Sequence, residues 1–226
     1  MRIPKFFSAV IVLIAVVVLV PACSEMQDQN VTLDSASMQS EDVAETAFEI
    51  VPLMAGMNAP EFSLTAADGT TYQFNPENLE KPLVLTFYRG GFCPYCNRQL
   101  AEFRHAETRL TEMGYSVAFA SMDRAAILKS NLKIEDVNYT LLSDSKATLA
   151  KAFGLAYRVS DETIERYLKG GIDLEGDSGE SHHILPVPAT YIIGVDGVID
   201  FAYVNPNYSE RVHPDLVVKA AELALE

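Results

Sequence analysis

The sequence contains little cysteine and little positive charge, and it has one long hydrophobic run. Three cysteines in 226 residues are too few for a disulfide scaffold. Only 17 lysines and arginines stand against 31 aspartates and glutamates, a net charge of -14, and so acidic a surface repels both nucleic-acid phosphates and anionic lipid headgroups. Hydrophobic residues make up 49% of the chain, enough for a sizeable core. These figures predict one globular domain, or at most two, that does not bind nucleic acid.

The hydrophobic run lies at the N-terminus and has the pattern of an export signal. It covers residues 6–20 after a basic start, and its length is short of the roughly 20 residues that span a bilayer as a helix. The letters VPACS follow at residues 20–24 and resemble the bacterial lipobox, in which the cysteine is lipid-modified. This resemblance implies a signal peptide over residues 1–22 and a lipid anchor on Cys23, on a bacterial lipoprotein that faces the periplasm. Ser24, directly after the cysteine, favours sorting to the outer membrane. The alternative to the lipobox is a plain secretory signal with an incidental cysteine.

An acidic stretch separates this signal from the domain. From residue 24 to residue 56 there are seven acidic residues and no lysine or arginine. Such a stretch buries too little apolar area to offset the entropy lost on ordering. We therefore predict a flexible tether over residues 23–56 and a single domain over residues 57–226. The end of the tether, residues 47–54, is apolar enough to form a turn of helix against the domain.

The hydrophobic patterns in the domain predict strands that alternate with helices. Strands are predicted at residues 61–65, 71–74, 83–88, 115–121, 139–142, 189–195 and 198–204, and helices from residue 96 onward and at residues 123–133, 145–153, 161–169 and 215–225. Asp123 is predicted to cap its helix, and residues 170–181 are predicted to form a loop. This order predicts an α/β sheet with helices on both faces.

Two of the cysteines form a CPYC motif at residues 93–96, between a buried strand and a helix. The free N–H groups and the dipole at a helix N-terminus favour a thiolate there. Thiols one turn apart can close a disulfide, so the motif predicts a redox-active pair. The alternative is half of a zinc site, completed by His182, His183 or His213 in place of a second CxxC.

The residues around this motif resemble the thioredoxin superfamily and, within it, the peroxiredoxins. The strand, the CxxC helix, Val187-Pro188 before a strand, and the closing hairpin and helix are similar to the thioredoxin fold. NAPEFSL at residues 58–64 and FYRGGFCPYC at residues 87–96 resemble the alkyl hydroperoxide reductase and thiol-specific antioxidant family, in a branch with CxxC. The resemblance implies a thioredoxin-like fold, with a central mixed sheet, helices on both faces and an N-terminal β-hairpin extension. It also implies that Pro188 is a cis-proline opposite the cysteine pair.

The active-site loop departs from the peroxiredoxin pattern, which is Pro-x-x-x-Thr-x-x-Cys. Aligned with that pattern, Arg89 stands at the proline, Cys93 at the threonine and Cys96 at the cysteine that attacks peroxide. The family's later activating arginine falls on Pro188. The usual hydroxyl and guanidinium are therefore absent from their positions. Arg89 is a candidate to supply a guanidinium from the other side, and the alternative is a solvated arginine at the end of a strand.

Three functions remain open. The resemblance implies a peroxidase in which Cys96 attacks a hydroperoxide, Cys93 resolves the sulfenic acid and a thioredoxin-type donor reduces the disulfide. The second is a thiol–disulfide oxidoreductase in which Cys93 attacks a protein disulfide. The third is a copper-handling thioredoxin-fold lipoprotein that uses a histidine such as His182. We favour the peroxidase, with Cys93, Cys96, Arg89 and Pro188 as catalytic residues and with no cofactor or metal.

Overall fold

A computed structural model describes residues 43–131 and 138–226 of the chain. The predicted signal peptide, Cys23 and most of the predicted tether lie outside these residues, as does the end of the helix predicted to reach residue 133. Across the two described ranges, no helix is both long and apolar enough to cross a membrane.

A seven-stranded mixed sheet forms the centre of the domain. Its strands are β1 (Phe62–Ala66), β2 (Thr71–Phe74), β3 (Leu83–Phe87), β4 (Ser116–Ser121), β5 (Thr140–Ser143), β8 (Ala189–Ile193) and β9 (Ile199–Val204), in the order β2-β1-β5-β4-β3-β8-β9. Strands β3, β4 and β5 run parallel, and the other pairs are antiparallel. A separate antiparallel pair joins β6 (Ala156–Arg158) to β7 (Ile184–Pro186).

Helices cover both faces of this sheet. They are α1 (Pro94–Glu112), α2 (Leu128–Asn131), α3 (Thr148–Ala152), α4 (Asp161–Lys169), α5 (Leu174–Ser178) and α6 (Pro214–Ala224). Alternate side chains of β3 point to opposite faces. Val84 joins the core under α1 and α6, and Leu85 and Phe87 join the core under α3. The chain thus has the predicted α/β architecture with its N-terminal hairpin.

The structure differs from the predicted elements in three places. Asp123 does not cap a helix, because a 3-10 turn at Ala125–Ile127 precedes the short α2 and Arg124 holds the cap position. Within the stretch predicted to be a loop, residues 170–181, the chain forms α5, whose cap Asp173 accepts a hydrogen bond from the Gly176 amide. The strands β6 and β7 were not predicted. Each has only three residues, too few for a period-2 pattern.

Residues 43–54 pack on the domain. The apolar part of the predicted tether, residues 47–54, was expected to form a turn of helix there, and the structure has a hydrogen-bonded turn at residues 46–49 and no helix. Ala44 forms a parallel bridge with Tyr157. Gly154 has a φ of +66°, and a Cβ at this position would lie 1.9 Å from the carbonyl oxygen of Val51. A glycine is therefore required both for the turn that ends α3 and for the close approach of the N-terminal segment.

The expected cis-proline at Pro188 is wrong. The described residues contain no cis peptide bond, so the Val187–Pro188 bond is trans. The trans form is the more stable by about 0.5–1 kcal/mol unless contacts hold the other form. In the trans form the carbonyl of Pro188 accepts a hydrogen bond from the Asn205 amide (3.2 Å), which continues the pairing of β8 with β9.

Candidate active site

Three loops meet at one edge of the sheet. Phe87, at the end of β3, pairs with Ala120 near the end of β4 and with Ala189 at the start of β8. Ala189 in turn pairs with Val204 at the end of β9. The loops that leave β3, β4 and β9 therefore begin side by side, at the carboxyl ends of the parallel strands where α/β proteins place their sites.

The cysteine pair lies at the start of α1 in the loop that leaves β3. Cys93 is the N-cap, with extended backbone angles (φ -88°, ψ 114°), and Pro94 occupies the first turn. The carbonyl of Cys93 accepts the amide hydrogens of Cys96 and Asn97, both at 3.1 Å. Both cysteines are free thiols, and they are only 1% and 0% exposed. The pair is thus one helical turn apart and closed off from the surface.

Two side chains hold the loop ahead of the pair. The Gly91 amide donates to Oδ2 of Asp123 (2.8 Å), and Nδ2 of Asn97 donates to the Gly91 carbonyl (2.8 Å). Gly90 has a φ of +147°, and a Cβ there would lie 2.8 Å from Oδ1 of Asp123. Burial raises the pKa of Asp123 to about 7, although the Gly91 hydrogen bond opposes that rise. Asp123 therefore supports the Cys93 loop and does not cap a helix.

Arg89 is buried under aromatic rings and is not a solvated strand end. Its side chain is 3% exposed, and its Nη2 donates to the hydroxyl of Tyr167. The guanidinium carbon lies 4.3 Å from the ring centre of Tyr208 and 5.5 Å from that of Phe92. Cation–π contacts stabilise a desolvated guanidinium in this way. The aromatic cover formed by Phe92, Tyr167 and Tyr208 thus fixes a positive charge beside the cysteine loop.

Arg211 is the site residue that sequence reasoning missed. Its Nη2 donates to Sγ of Cys96 at 3.3 Å, although the two residues are 115 positions apart. Its Nη1 donates to the carbonyls of Tyr208 and Glu210, which fixes the guanidinium in the loop after β9. Arg211 belongs to no sequence motif that links it to the cysteines. The one signal in the sequence was its place after the closing hairpin, because the second strand of that hairpin ends at the edge of the sheet where the cysteines lie.

The structure thus gathers part of the predicted site and adds to it. Cys93, Cys96 and Arg89 lie together, and Arg211 supplies a guanidinium at the site although this sequence has Pro188 at the position of the family's arginine. Pro188 itself directly precedes β8 at the same edge of the sheet and is buried.

The two sulfurs differ in acidity. The pKa of Cys93 is lowered to about 6, chiefly because the Cys96 thiol donates a hydrogen bond to its sulfur. Burial acts in the opposite direction and raises the pKa. It is outweighed because the Cys96 amide and the charges of Arg89 and Arg211 lower the pKa further. The pKa of Cys96 is raised, first by burial and then by its hydrogen bond to Cys93, and the Arg211 charge only partly offsets the rise. Ionisation of one thiol of the reduced pair therefore opposes ionisation of the other.

The histidines considered as metal ligands have other contacts. Both ring nitrogens of His182 make hydrogen bonds with backbone groups, and Nε2 of His183 lies 2.8 Å from Oε1 of Glu175. His213 caps α6. Within residues 43–131 and 138–226, no three His, Cys, Asp or Glu side chains come together in a group that could hold a metal. The copper-handling alternative gains no support from this arrangement.

Comparison with known proteins gives a family match over most of the domain. The model of the AhpC/TSA family matches residues 55–202. Peroxiredoxin Q from the chloroplast of Triticum aestivum is 29% identical over 156 residues, which is 69% of this chain and 61% of that protein. Peroxiredoxin Bcp of Escherichia coli is 33% identical over 104 residues, which is 46% of this chain and 66% of that protein. The match to the plant protein thus spans about 61% of its length.

A solved structure has the same fold. Peroxidoxin BcpB from Mycobacterium tuberculosis superposes with a TM-score of 0.59 at 19% identity, over 76% of this chain and 97% of that one. At this identity the likeness concerns the fold, and it identifies the domain as a thioredoxin-like α/β domain with a central mixed sheet.

Proposed function

Since the chain belongs to the AhpC/TSA family, we propose that it is a thiol peroxidase that reduces hydroperoxides through the Cys93–Cys96 dithiol. The relatives named above are peroxiredoxins. Their name and the family match support the reaction class, and the geometry of this site supports the use of the cysteine pair.

The observation that carries the proposal is the pair of arginines at the two sulfurs. Cleavage of a peroxide O–O bond by a thiolate places negative charge on the departing oxygen, and fixed positive charge in a site that excludes water stabilises it strongly. Arg211 contacts Sγ of Cys96 at 3.3 Å, and the Arg89 charge acts on Cys93. Both Nε atoms of these guanidinium groups are buried and have no hydrogen-bond partner among the residues that the structure describes. They are unused N–H donors next to the dithiol.

The proposed cycle has three steps. One thiolate attacks the outer peroxide oxygen, so that the O–O bond breaks, an alcohol leaves and the sulfur becomes a sulfenic acid. The other sulfur attacks the sulfenic acid, water leaves and the disulfide forms. An external dithiol of the thioredoxin type then reduces the disulfide by thiol–disulfide exchange. The protein needs no cofactor for this cycle, because all the electrons come from thiols.

Peroxide consumption with a supplied donor tests the proposal. The full chain is mixed with thioredoxin, thioredoxin reductase and NADPH, and NADPH oxidation is followed after addition of hydrogen peroxide or an alkyl hydroperoxide. We expect peroxide-dependent turnover that disappears in the variant carrying both Cys93→Ser and Cys96→Ser. If the wild-type chain gives no more turnover than this double variant with either peroxide, the peroxidase assignment is wrong.

A second candidate function is thiol–disulfide exchange with proteins. The observation that favours it is the position of Cys93 at the N-cap of α1 with a lowered pKa, which suits attack on a disulfide. Against it, Cys93 is only 1% exposed, and a protein disulfide needs more access than a small peroxide. Reduction of insulin by the reduced chain, measured beside peroxide consumption, separates the two functions.

We also propose that the domain is tethered to a membrane and faces the periplasm. This proposal rests on the sequence of residues 1–24, where a short apolar run precedes VPACS. One lipidated cysteine and an acidic connecting segment would leave the domain anchored to the bilayer without spanning it. Such a position would place the dithiol where peroxides enter from outside the cell.

A further inference from the structure

We propose that the disulfide form of this domain is less stable than the dithiol form, so that the Cys93–Cys96 pair is an oxidising couple that readily accepts electrons from thiols. The proposal rests on two positive charges, on Arg89 and Arg211, which a thiolate of the reduced pair neutralises and a disulfide does not. It holds whether or not the oxidant is a peroxide, so it goes beyond the function proposed above and does not depend on it.

The first of these charges, on Arg89, is buried without an acidic partner. The side chain is 3% exposed, and Nη2 donates to the hydroxyl of Tyr167. The guanidinium carbon lies 4.3, 5.5 and 5.9 Å from the ring centres of Tyr208, Phe92 and Tyr167. None of the ion pairs among the described residues includes Arg89. Aromatic rings and a hydroxyl attract a guanidinium, but they carry no net negative charge to balance it.

The second charge, on Arg211, is half-buried in the loop after β9. Its Nη1 donates to the backbone carbonyls of Tyr208 and Glu210, and its Nη2 donates to Sγ of Cys96 at 3.3 Å. Arg211 also takes part in none of the ion pairs within the described ranges of the chain. Of its three hydrogen-bond partners, only the sulfur can become an anion.

The buried carboxyl groups do not supply the missing negative charge. In the described part of the chain, three acidic residues are buried: Glu107, Asp123 and Asp144. Glu107 accepts a hydrogen bond from a threonine hydroxyl, and Asp123 and Asp144 accept from backbone amides. None of the three forms an ion pair with a described arginine. The acceptor that can balance these two guanidinium groups is therefore the dithiol.

The two redox forms differ in the charge that they place beside these guanidinium groups. In the reduced pair either thiol can ionise, and the positive charge of Arg211 lowers the pKa of both Cys93 and Cys96. A disulfide has no ionisable proton, so it cannot balance either arginine. Both cysteines are at most 1% exposed, and an unpaired charge in a site shielded from water is costly. Oxidation of the pair therefore carries an electrostatic cost that the reduced form avoids.

Exchange with a monothiol such as glutathione shows how this cost acts on the equilibrium. A glutathione thiolate attacks one protein sulfur, the S–S bond breaks and a mixed disulfide forms. A second glutathione thiolate attacks the glutathione sulfur of the mixed disulfide, and oxidised glutathione leaves. Two electrons pass to the protein. One proton from the two glutathione thiols stays on the reduced pair and the other goes to solvent, which leaves one protein thiolate beside the arginines. The gain in charge balance favours reduction of the protein.

Redox equilibrium with glutathione tests the role of the two charges. The full chain is equilibrated without oxygen at neutral pH in mixtures of reduced and oxidised glutathione, and the reaction is quenched with acid. Free thiols are then alkylated, and intact mass gives the fraction of disulfide. We expect Arg89→Met and Arg211→Met each to lower the equilibrium constant for reduction at least about tenfold, which corresponds to about 30 mV. Arg109→Met is the control, because Arg109 is half-exposed and forms surface ion pairs with Asp215 and Glu222. Constants within about twofold of the Arg109→Met value in both variants would overturn the proposal.

A second measurement uses the wild-type chain and needs no substitution. Urea unfolding is compared for the disulfide form and for the dithiol form, which is kept reduced with a phosphine. A disulfide normally stabilises a domain, because it restricts the unfolded chain. We expect the opposite here, with a lower urea midpoint for the disulfide form and a smaller difference between the two forms in Arg211→Met. A disulfide form at least as stable as the dithiol form refutes the proposal. A less stable disulfide form in a chain that fails to consume peroxide would support the proposal and contradict only the peroxidase function.

Discussion

Replacing Arg211 by methionine should slow the conversion of the dithiol to the disulfide. The guanidinium donates a hydrogen bond to Sγ of Cys96 at 3.3 Å, and its charge opposes the rise in the pKa of that thiol. Methionine has an unbranched side chain that fills similar space without a charge. The Arg211→Met variant should therefore hold Cys96 more firmly as a neutral thiol, and the disulfide should form more slowly, because its formation uses both sulfurs.

The expected size follows from the kind of bond that is lost. A hydrogen bond to a charged group contributes about 1.5–3 kcal/mol, and each 1.36 kcal/mol changes a rate about tenfold. If the contact acts fully on the Cys96 thiolate, its loss lowers the fraction of Cys96 present as thiolate and slows disulfide formation about 10- to 150-fold.

Rapid alkylation measures this rate directly. Reduced protein is mixed with one equivalent of peroxide, free thiols are alkylated after set times, and intact mass gives the fraction of disulfide. Arg109→Met is the matched control, because Arg109 is half-exposed and pairs with Asp215 (3.0 Å) and Glu222 (3.5 Å), away from the sulfurs. Disulfide formation in Arg211→Met within about twofold of the Arg109→Met rate, well short of one tenfold step, would refute the reasoning.

Three further results are expected. Cys23→Ser should release the protein from the membrane fraction, and intact mass of the wild-type chain should show lipid on Cys23; a variant that stays with the membrane contradicts the lipobox assignment. Gly90→Ala should lower the thermal midpoint of unfolding more than Gly69→Ala. Both glycines have a positive φ, which costs about 1–2 kcal/mol for alanine. Only at Gly90 would the added Cβ also meet Asp123, at 2.8 Å. Equal midpoints would contradict that contact. Burial raises the pKa of Asp123 from 3.8 to about 7, so the native state holds this proton more tightly than the unfolded chain. The contribution of the protonated carboxyl to the free energy of unfolding is therefore fully present below pH 4 and is lost as the pH rises through 7. Urea unfolding of Asp123→Asn should show a smaller loss of stability between pH 4 and pH 8 than the wild-type chain, by on the order of a few kcal/mol. Asp161→Asn, at an exposed carboxyl, is the matched control.

The sequence by itself determined the main elements and the chemistry of the cysteine motif. The period-2 patterns around Asp68-Gly69 and Asp196-Gly197 specify the two hairpins, because the side chains of a half-buried strand must alternate between core and solvent. The three- and four-residue spacing after Cys96 specifies α1, because those positions form one face of a helix. The CxxC motif at the start of that helix is a local feature, so its position follows from neighbouring residues alone.

Only the tertiary structure decided what surrounds the sulfurs. Arg211 reaches Cys96 because two successive strand pairings, β3 with β8 and β8 with β9, bring the end of β9 to the same edge as the end of β3, and no local pattern encodes a contact between residues 115 positions apart. Arg89 looks like an ordinary charged residue at the end of a strand, and it is the packing of Phe92, Tyr167 and Tyr208 from separate elements that buries its charge. The acidity of each thiol depends on these long-range charges and on burial, so the reactive sulfur is a property of the folded domain and not of the motif.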